Sequence, residues 1–469
     1  EVATAARTRV YAPGGAGAAR EDDLAPDLAA QVLSLDLAPG ESVSVEKIAA
    51  LHSSRDPAIS EHAEAARGRV SRADRFDALL DAHRAAWRRL WDAFDIAVED
   101  GADCDCNLKL RMHLFHLLQT VSRHSIDRDV GVPPRGWTGE AYRGHVMWDE
   151  LFVFPLLNLR QPLLSRALLR YRHRRLPMAR RLAAAEGRAG AMYPWQSGSD
   201  GREESQSLHL NPASGRWIPD NSRRQRHIGA AVAWNVWQYY EATGDRGFLE
   251  DYGAEMLVEI ARFFASAATR NPARGRWDIR GVMGPDEFHT AYPGADPSTE
   301  GGLDNNAYTN VMAAWTLNRA EDALAALSPD KAEALMARLG VTEDDCALWA
   351  EVSRGLFVPF HDGVISQFEG YEALDEFDWE GARARHGDIG RLDRILEAEG
   401  DDPNRYKVSK QADALMLFYL LSSDELALLF EQLGYRFDRA MIPRTIDYYA
   451  ARTSHGSTLS RVVHSWVLA

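Results

Sequence analysis

Lysine and cysteine are scarce in this chain, and long apolar runs are missing. Only five of the 469 residues are lysines, so arginine supplies 49 of the 54 basic side chains, and 69 acidic residues leave a formal charge of −15. This acidic balance argues against a nucleic-acid-binding protein, which needs a basic face. Three cysteines are too few for a disulfide framework, and no stretch approaches the roughly 18 apolar residues of a membrane span. We expect a cytoplasmic protein that binds neither nucleic acid nor membrane.

The first 70 residues have strand-like patterns. Residues 31–37 (QVLSLDL) and 42–48 (SVSVEKI) alternate apolar and polar side chains on either side of the turn-forming stretch 38–41. This pattern predicts a β-hairpin or two adjacent strands, with a loop over residues 11–28. We expect residues 1–70 to be the C-terminal remnant of an N-terminal β-domain.

After about residue 72 the apolar spacing changes to the 3.6-residue period of helices. An amphipathic first helix predicts a helical linker over 71–104, and about a dozen further helices fill 105–469. No repeat of 34 or 40 residues is present, so a closed α/α barrel fits better than a solenoid. Because the chain lacks an initiator methionine and stops within an apolar helical run, we expect a fragment with a truncated barrel. The later predicted helices cover 107–126, 145–158, 162–186, 225–243, 247–269, 306–327, 330–338, 343–357, 386–398, 410–421, 424–433 and 459–469.

Several loops or helix starts concentrate aromatic, acidic, amide and histidine side chains. They span residues 142–150, 192–204, 281–289, 304–310, 410–413 and 453–460. Aromatic rings stack on the apolar face of a sugar while planar polar groups bind its hydroxyls, and a nearby carboxylic acid can protonate a glycosidic oxygen. Each feature also has an ordinary explanation, since Trp148 can be core, Asp286–Glu287 a solvated turn and 455–458 a helix N-cap. Found together, they favour a sugar site.

The strings that carry these side chains resemble those of a known family. The chain contains YRGHVMWDE (142–150), GAMYPW (190–195), GVMGPDEFH (281–289), GLDNNAYTN (302–310), KQAD (410–413) and HGSTLS (455–460). They stand in the order found in glycoside hydrolase family 65, which includes maltose, trehalose, kojibiose and nigerose phosphorylases. EKIAALHSSRD (46–56) resembles the end of its N-terminal β-sandwich. The resemblance implies a mainly helical fold, an (α/α)6 barrel preceded by the end of that sandwich and a helical linker.

The resemblance also implies roles for individual residues. Glu287 would be the general acid of an inverting single displacement, with inorganic phosphate as co-substrate and no cofactor. The expected sugar-binding residues are Trp148, Asp149, Lys410, Gln411, Trp195, His289 and Asn306. The loop expected to bind phosphate consists of His455, Gly456, Ser457 and Thr458. No metal is expected, because the histidines of the motif loops lack ligand spacing; these are His145, His227, His289 and His455.

The phosphate loop contains hydroxyls, a histidine and helix amides but no acid. An inverting hydrolase needs a second carboxylate to activate water, roughly 6.5–9.5 Å from the acid, whereas phosphate is already an anion. Phosphorolysis of an α-glucosidic disaccharide to β-glucose 1-phosphate is therefore favoured. Two alternatives stay open: an inverting α-glucoside hydrolase, with Asp447 as the candidate base, and a catalytically silent sugar-binding barrel.

The acceptor sugar is less well defined. The stretches 196–206 and 207–224 look longer than in simple disaccharide phosphorylases and should shape the acceptor subsite. Their basic residues could accept an anionic acceptor, although ion pairs in an exposed loop are the simpler explanation; these residues are Arg223, Arg224, Arg226 and His227. The family is often dimeric and is sometimes fused to a haloacid-dehalogenase-type sugar-phosphate enzyme. A homodimer and a fused domain outside this fragment are therefore further expectations.

Overall fold

The computed structural model of the chain describes residues 1–12, 18–26, 28–99, 105–136 and 141–469. These residues form two compact units, Glu1–Arg111 and Met112–Ala469. The predicted end of the linker, Cys104, lies outside the described residues. No helix within the described ranges is long and apolar enough to cross a bilayer.

The N-terminal unit contains two antiparallel strand pairs. β1 (Val2–Tyr11) pairs with β4 (Ser44–Ser53), in a register that places Val2 opposite Ser53 and Tyr11 opposite Ser44. β2 (Ala19–Ala25) pairs with β3 (Leu28–Ser34).

This pairing corrects two predictions. A hairpin between residues 31–37 and 42–48 is wrong, because each stretch pairs with an earlier strand. A loop over 11–28 is also wrong, since residues 19–25 form β2. Every side chain of β2 is exposed, so backbone hydrogen bonds alone hold it and no apolar pattern reveals it.

Two helices follow these strands. α1 (His62–Arg72) packs against β1 and β4 and buries Ala66 and Val70, one helical turn apart. The Arg7 side chain of β1 donates to the Val70 carbonyl over 2.9 Å. α1 was not predicted because so few of its residues are apolar, whereas α2 (Phe76–Phe94) coincides with the predicted amphipathic helix.

The rest of the chain is mainly helical. The helices are α3 (Cys106–Thr120), α4 (Glu150–Arg160), α5 (Pro162–Arg174), α6 (Leu176–Ala185), α7 (His227–Thr243), α8 (Arg246–Phe248), α9 (Ala254–Ala267), α10 (Ala307–Ala326), α11 (Pro329–Leu339), α12 (Glu343–Gly355), α13 (Trp379–His386), α14 (Leu392–Glu399), α15 (Met416–Leu420), α16 (Ser423–Gln432), α17 (Met441–Ala450) and α18 (Thr458–Leu468). Short hairpins interrupt the long connections, namely β5 (Leu208–Leu210) with β6 (Trp217–Pro219), β7 (Thr269–Asn271) with β8 (Arg276–Asp278), and β9 (Phe360–His361) with β10 (Val364–Ile365).

The helices of the second unit pack as neighbouring pairs around α7 and α10. α7 buries every residue from His227 to Trp237, and α10 every residue from Ala307 to Leu317, which is typical of helices surrounded by others. α4 packs against α7, α7 against α10, α10 against α15, and α15 against α18. α5 packs on α4 and α7, α9 on α7 and α10, and α12 on α9 and α10. This is the pairing expected of an α/α barrel.

Three helix predictions differ from the structure. The segment 162–186 is split into α5 and α6, because Pro177 near the start of α6 has no amide hydrogen to continue the helix. Only Met416–Leu420 of the predicted helix 410–421 is helical. α17 was not predicted, although it buries Ile446 and Tyr449.

Candidate active site

The predicted motif loops meet at one cavity of the second unit. A chamber of about 320 Å³, which we call the first chamber, is enclosed by residues from five separate stretches of chain. Its walls are Pro134, Arg135, Tyr142, Met147, Trp148, Asp149, Trp195, Glu287, Arg391, Lys410, Gln411, Gly456, Ser457, Thr458 and Leu459. The structure thus brings together most residues expected to bind sugar and phosphate.

A second chamber of about 220 Å³ adjoins the first and shares part of its wall, including Glu287, Lys410 and Arg391. The remaining wall comes mainly from the stretch between Gln196 and Ser222 and from the start of α14. These residues are Gln196, Gln206, His209, Pro219, Asp220, Asn221, Ser222, Met283, Thr290, Asp393 and Arg394. Glu287 therefore stands at the boundary between two chambers.

Two side chains of the 410–413 loop hold the Glu287 carboxylate. Lys410 Nζ forms an ion pair with Oε2, and Gln411 Nε2 donates to Oε1 over 3.3 Å and to the Pro285 carbonyl over 2.6 Å. Burial alone would lower the pKa of Lys410, but the adjacent Glu287 carboxylate raises that pKa above its ordinary value. The loops thus present one carboxylate, paired with an ammonium group, to both chambers.

A buried polar layer supports the Glu287 loop. Asp286 Oδ2 lies 2.7 Å from His289 Nδ1, and Asp286 Oδ1 accepts from the Lys410 amide over 3.1 Å. Asp413 accepts from the Asp286 amide over 3.2 Å and from Asn306 Nδ2 over 3.0 Å. Burial raises the pKa of Asp413 to about 8, and the Asp286 charge adds to this shift. This layer fixes the backbone on both sides of Glu287.

His289 and Asn306 belong to that layer and line neither chamber, in contrast to the sugar contacts expected of them. His289 is 1% exposed, and its Nε2 lies 2.9 Å from the Tyr406 carbonyl oxygen. Asn306 is fully buried and caps α10 by accepting from the Thr309 amide over 2.9 Å. Their polar atoms already have partners within the protein, so both residues position the loop.

Trp148 and Asp149 stand at the start of α4. The Trp148 ring is 3% exposed and meets the ring of His227 edge-on with centroids 4.6 Å apart, so it is both core and chamber wall. The Asp149 carboxylate accepts no hydrogen bond from any other described residue. Burial raises the pKa of Asp149 to about 7, with a smaller contribution from the Glu287 charge. An unsatisfied carboxyl group on a chamber wall is available to a ligand hydroxyl.

The second predicted aromatic wall, Trp195, is fixed through its backbone. Glu203 accepts from the Trp195 amide over 2.8 Å and from the Gln196 amide over 3.1 Å. Trp195 itself is 5% exposed and lines both chambers. A carboxylate that accepts two successive amides holds the loop in one conformation.

The predicted phosphate loop places the N-terminus of α18 on the wall of the first chamber. Ser457 caps this helix by accepting from the Leu459 amide over 3.3 Å. The Gly456 amide donates to the Lys410 carbonyl over 2.9 Å, and a Cβ on Gly456 would collide with the Gly390 carbonyl oxygen. Helix N-termini attract anions, so this wall suits phosphate.

His455 differs from the rest of the phosphate loop because it does not line the chamber. Its Nδ1 lies 2.9 Å from Ser460 Oγ, and its ring packs edge-on against His464 with centroids 4.7 Å apart. Burial lowers the pKa of His455. It therefore braces the loop from behind.

Backbone strain is concentrated in the motif loops. Seven non-glycine residues in the described ranges have a positive φ, and five of them lie in the predicted motifs. These five are Tyr142 (64°), Arg143 (47°), Glu287 (66°), Asn305 (52°) and His455 (55°). Such conformations each cost roughly 1–3 kcal/mol and cluster where function requires them.

Two further predictions place residues away from this site. Asp447 is exposed on α17 and lines neither chamber, so it is not placed to act as a base there. Arg223, Arg224 and Arg226 line a different pocket, and His227 is fully buried beneath Trp148. The predicted anionic acceptor subsite is therefore not formed by these arginines.

Sequence reasoning missed several wall residues. Arg391 and Arg394 flank the start of α14, and His209 lies on β5; neither stretch carries a pattern that marks a site. Within the described ranges, no three or more histidine, cysteine or acidic side chains are grouped to hold a metal ion. The expectation that no metal or cofactor is needed stays a prediction.

Comparison with family models identifies the chain. The model of the glycosyl hydrolase family 65 central catalytic domain matches residues 111–469. This chain belongs to glycoside hydrolase family 65. The N-terminal domain of the same family matches residues 1–90, and the predicted family is confirmed.

Family 65 relatives are longer than this chain. An uncharacterized glycosyl hydrolase of Mycobacterium tuberculosis is 57% identical over 93% of this chain, which covers 33% of that relative. Trehalose 6-phosphate phosphorylase of Lactococcus lactis is 38% identical over 94% of this chain and 55% of that enzyme. Kojibiose phosphorylase of Halothermothrix orenii is 34% identical over 83% of this chain and 47% of that enzyme. The chain thus spans between a third and about half of these relatives.

A solved structure supports the fold. It is that of a human-microbiome protein provisionally assigned as a kojibiose phosphorylase, with a TM-score of 0.74 and 23% identity. The match covers 99% of this chain and 57% of that one. The predicted fold class, an (α/α)6 barrel after an N-terminal β-domain, is confirmed.

Proposed function

We propose that this family 65 chain carries the site for inverting phosphorolysis of an α-glucosidic disaccharide, which yields β-glucose 1-phosphate and a free acceptor. The observation that carries the proposal is the position of Glu287 between two chambers, one of which is walled by the start of α18. A glucosyl unit in the first chamber and an acceptor in the second would place the glycosidic oxygen beside Glu287. The relatives named as disaccharide phosphorylases support this assignment.

In this reaction, protonated Glu287 donates its proton to the glycosidic oxygen while a phosphate oxygen attacks the anomeric carbon from the opposite face. The bond to the acceptor breaks as the bond to phosphate forms, so the α configuration is inverted to β. Because the nucleophile is already an anion, no enzymatic base is required. The hydroxyls of Ser457 and Thr458 and the first amides of α18 supply the donors that phosphate needs.

The ion pair between Glu287 and Lys410 sets a requirement for turnover. A carboxylate paired with an ammonium group is ionised, whereas a general acid must carry a proton. We infer that bound sugar or phosphate takes over the Lys410 ammonium and allows Glu287 to be protonated. Lys410 suits this exchange because its own carbonyl accepts from the Gly456 amide, next to the phosphate loop.

For the acceptor we propose a sugar phosphate, on the evidence of Arg394 in the second chamber. Its Nε is buried without a hydrogen-bond partner among the described residues, and it makes no ion pair with them. Burial and the neighbouring charge of Arg391 lower the pKa of Arg394. An anionic acceptor would neutralise this guanidinium. The relative named trehalose 6-phosphate phosphorylase supports trehalose 6-phosphate as the first substrate to test.

A second candidate is hydrolysis, and Asp149 is the observation that favours it. Asp149 and Glu287 are the two carboxyl groups on the wall of the first chamber. With its pKa raised to about 7, Asp149 is partly ionised at neutral pH and could activate water. The same property suits the sugar-binding role expected of it, so the two candidates differ in their need for phosphate.

The experiment that separates them follows anomeric protons by NMR in the full-length protein. Trehalose 6-phosphate, trehalose, kojibiose, nigerose and maltose are each incubated with and without inorganic phosphate. We expect β-glucose 1-phosphate only with phosphate, and fastest turnover of the phosphorylated disaccharide. Free β-glucose regardless of phosphate would establish hydrolysis, and no turnover of any substrate would favour a silent barrel. The whole protein's partners, including a homodimer and a fused domain, stay predictions.

A further inference from the structure

A pocket that the proposed reaction does not use is lined by five arginines. It has a volume of about 320 Å³ and shares no lining residue with either chamber. Its single acidic lining residue is Glu186. We call it the arginine pocket, after Arg188, Arg223, Arg224, Arg226 and Arg280.

Ion pairs account for only part of this charge. Arg226 binds Glu186 with Nη2–Oε1 at 2.5 Å, and Arg280 binds Asp278 over 2.9 Å. The other three arginines of the pocket form no ion pair with any described residue. Like charges at such short range repel one another. In a chain with a formal charge of −15, this local excess of positive charge calls for an anion.

Arg224 shows most directly that a partner is missing within the protein. Its Nε is buried and has no hydrogen-bond partner among the described residues, and its Nη1 reaches only the Gly281 carbonyl, over 3.4 Å. Burial and the neighbouring Arg223 charge lower the pKa of Arg224. A buried donor without an acceptor is costly. A ligand with acceptor oxygens would remove that cost.

The shape of the pocket limits the ligand to a small molecule. Apolar side chains, among them Phe264 and Ile279, form part of its lining beside the guanidinium groups. Its volume lies at the lower end of the range of small-molecule sites. Guanidinium groups bind phosphoryl oxygens in pairs, and several arginines match a dianion better than a single carboxylate.

We propose that the arginine pocket binds a small phosphorylated molecule, with its phosphoryl group on Arg223 and Arg224. The ligand would act on the segment that leads to Glu287. The Met283 amide donates to the Arg224 carbonyl over 3.1 Å, Gly281 and Val282 line the pocket, and Met283 lines the second chamber. The arginine pocket is therefore an effector site that adjoins the catalytic loop and is separate from the substrate chambers.

The test is calorimetric titration of the full-length protein with inorganic phosphate and with glucose 6-phosphate. Arg223→Gln and Arg224→Gln are compared with Arg181→Gln, which removes the same charge from an exposed position on α6. Ser457→Ala separately weakens the phosphate site proposed in the first chamber. We expect each pocket variant to weaken one class of sites about tenfold or more. That class should be unchanged in Arg181→Gln and in Ser457→Ala.

Three results would overturn the proposal. The first is unchanged binding in both pocket variants, and the second is loss of all phosphate binding in Ser457→Ala. The third is absence of binding of both probes to the wild-type protein at millimolar concentration. Arg223 is exposed, so its replacement leaves folding intact and the outcome does not depend on the more buried Arg224.

Discussion

The two chambers treat their acidic residues in opposite ways. In the first, the Asp149 carboxyl group has no partner among the other described residues, and burial raises its pKa to about 7. In the second, burial also acts on Asp220, but hydrogen bonds from His209, Ser222 and Gln206 outweigh it and lower the pKa of Asp220 to about 2. An acid that is left unsatisfied awaits a ligand, whereas one that is fully hydrogen-bonded holds the wall in place.

The chambers also differ in how the chain builds them. The first draws its wall from five separate stretches, so its geometry depends on the packing of the whole barrel. The second is formed largely by one stretch, Gln196–Ser222, and by the start of α14. A single stretch can change without disturbing the first chamber. We therefore assign the chemistry to the first chamber and the choice of acceptor to the second.

Glu287 belongs to both chambers, and its loss should have the largest effect. Glu287→Gln keeps the shape of the side chain but removes the acidic proton, so we expect kcat to fall by about 10²- to 10⁴-fold while sugar binding persists. Steady-state kinetics and calorimetric binding of the disaccharide measure the two effects. Glu333→Gln, at an exposed position of α11, is the matched control. Unchanged kcat in Glu287→Gln would remove the residue from the mechanism.

The phosphate loop can be separated from ordinary helix capping with a pair of serines. Ser457 caps α18 on the wall of the first chamber, and Ser422 caps α16 outside both chambers. Either serine-to-alanine change should lower the free energy of unfolding by about 1 kcal/mol. Only Ser457→Ala should also raise the KM for phosphate, by about 10- to 100-fold, since a hydroxyl that binds an anion is lost. Equal phosphate KM values in the two variants would contradict the assignment.

Arg394 tests whether the second chamber sets the acceptor. Arg394→Gln should reduce the preference for a phosphorylated over an unphosphorylated disaccharide by about tenfold, because an unpaired guanidinium is lost. The KM for inorganic phosphate should stay the same. Arg385→Gln, on the exposed side of α13, is the control. A change of phosphate KM without a change in acceptor preference would assign Arg394 to the first chamber instead.

The opposite pKa shifts of Asp149 and Asp220 predict opposite effects on stability. The pKa of Asp149 is raised from 3.8 to about 7, so its ionisation costs stability as the pH rises from about 4 to 7. Asp149→Asn should remove that loss. The pKa of Asp220 is lowered to about 2, so its stabilisation is present above about pH 4 and is lost as the pH falls towards 2. Asp220→Asn should therefore destabilise the protein at neutral pH.

Urea unfolding between pH 3 and pH 8 measures both effects. Each group can change the free energy of unfolding by at most about 1.4 kcal/mol per pH unit. Changes of the same sign in Asp149→Asn and Asp220→Asn would refute the comparison between the chambers.

The sequence motifs predicted the first chamber well because each motif contributes at least one wall residue, such as Asp149, Glu287 or Gln411. They did not predict which side of a loop faces the cavity. The positive φ of Glu287 turns the chain so that Glu287 meets the chambers while Asp286 and His289 face the interior. Residue types in an irregular loop do not reveal such a turn, so His289 and Asn306 were expected to bind sugar.

The second chamber was beyond prediction for a different reason. His209 and Arg394 lie 185 positions apart and meet only through tertiary packing. Strand pairing in the N-terminal unit failed similarly, because β1 pairs with β4 across about 40 residues. Local spacing carries no information about such partners.

The close approach of Gly456 to the Gly390 carbonyl has a consequence for protein engineering. Gly390 directly precedes Arg391, so the anion-binding loop and the acceptor-side arginines share a contact that leaves no room for a side chain. Remodelling the backbone at 390–394 to accommodate a new acceptor should therefore weaken phosphate affinity. Grafting a different hairpin in place of β5–β6 avoids that coupling. New specificities are thus more accessible through hairpin exchange than through redesign of the arginine segment.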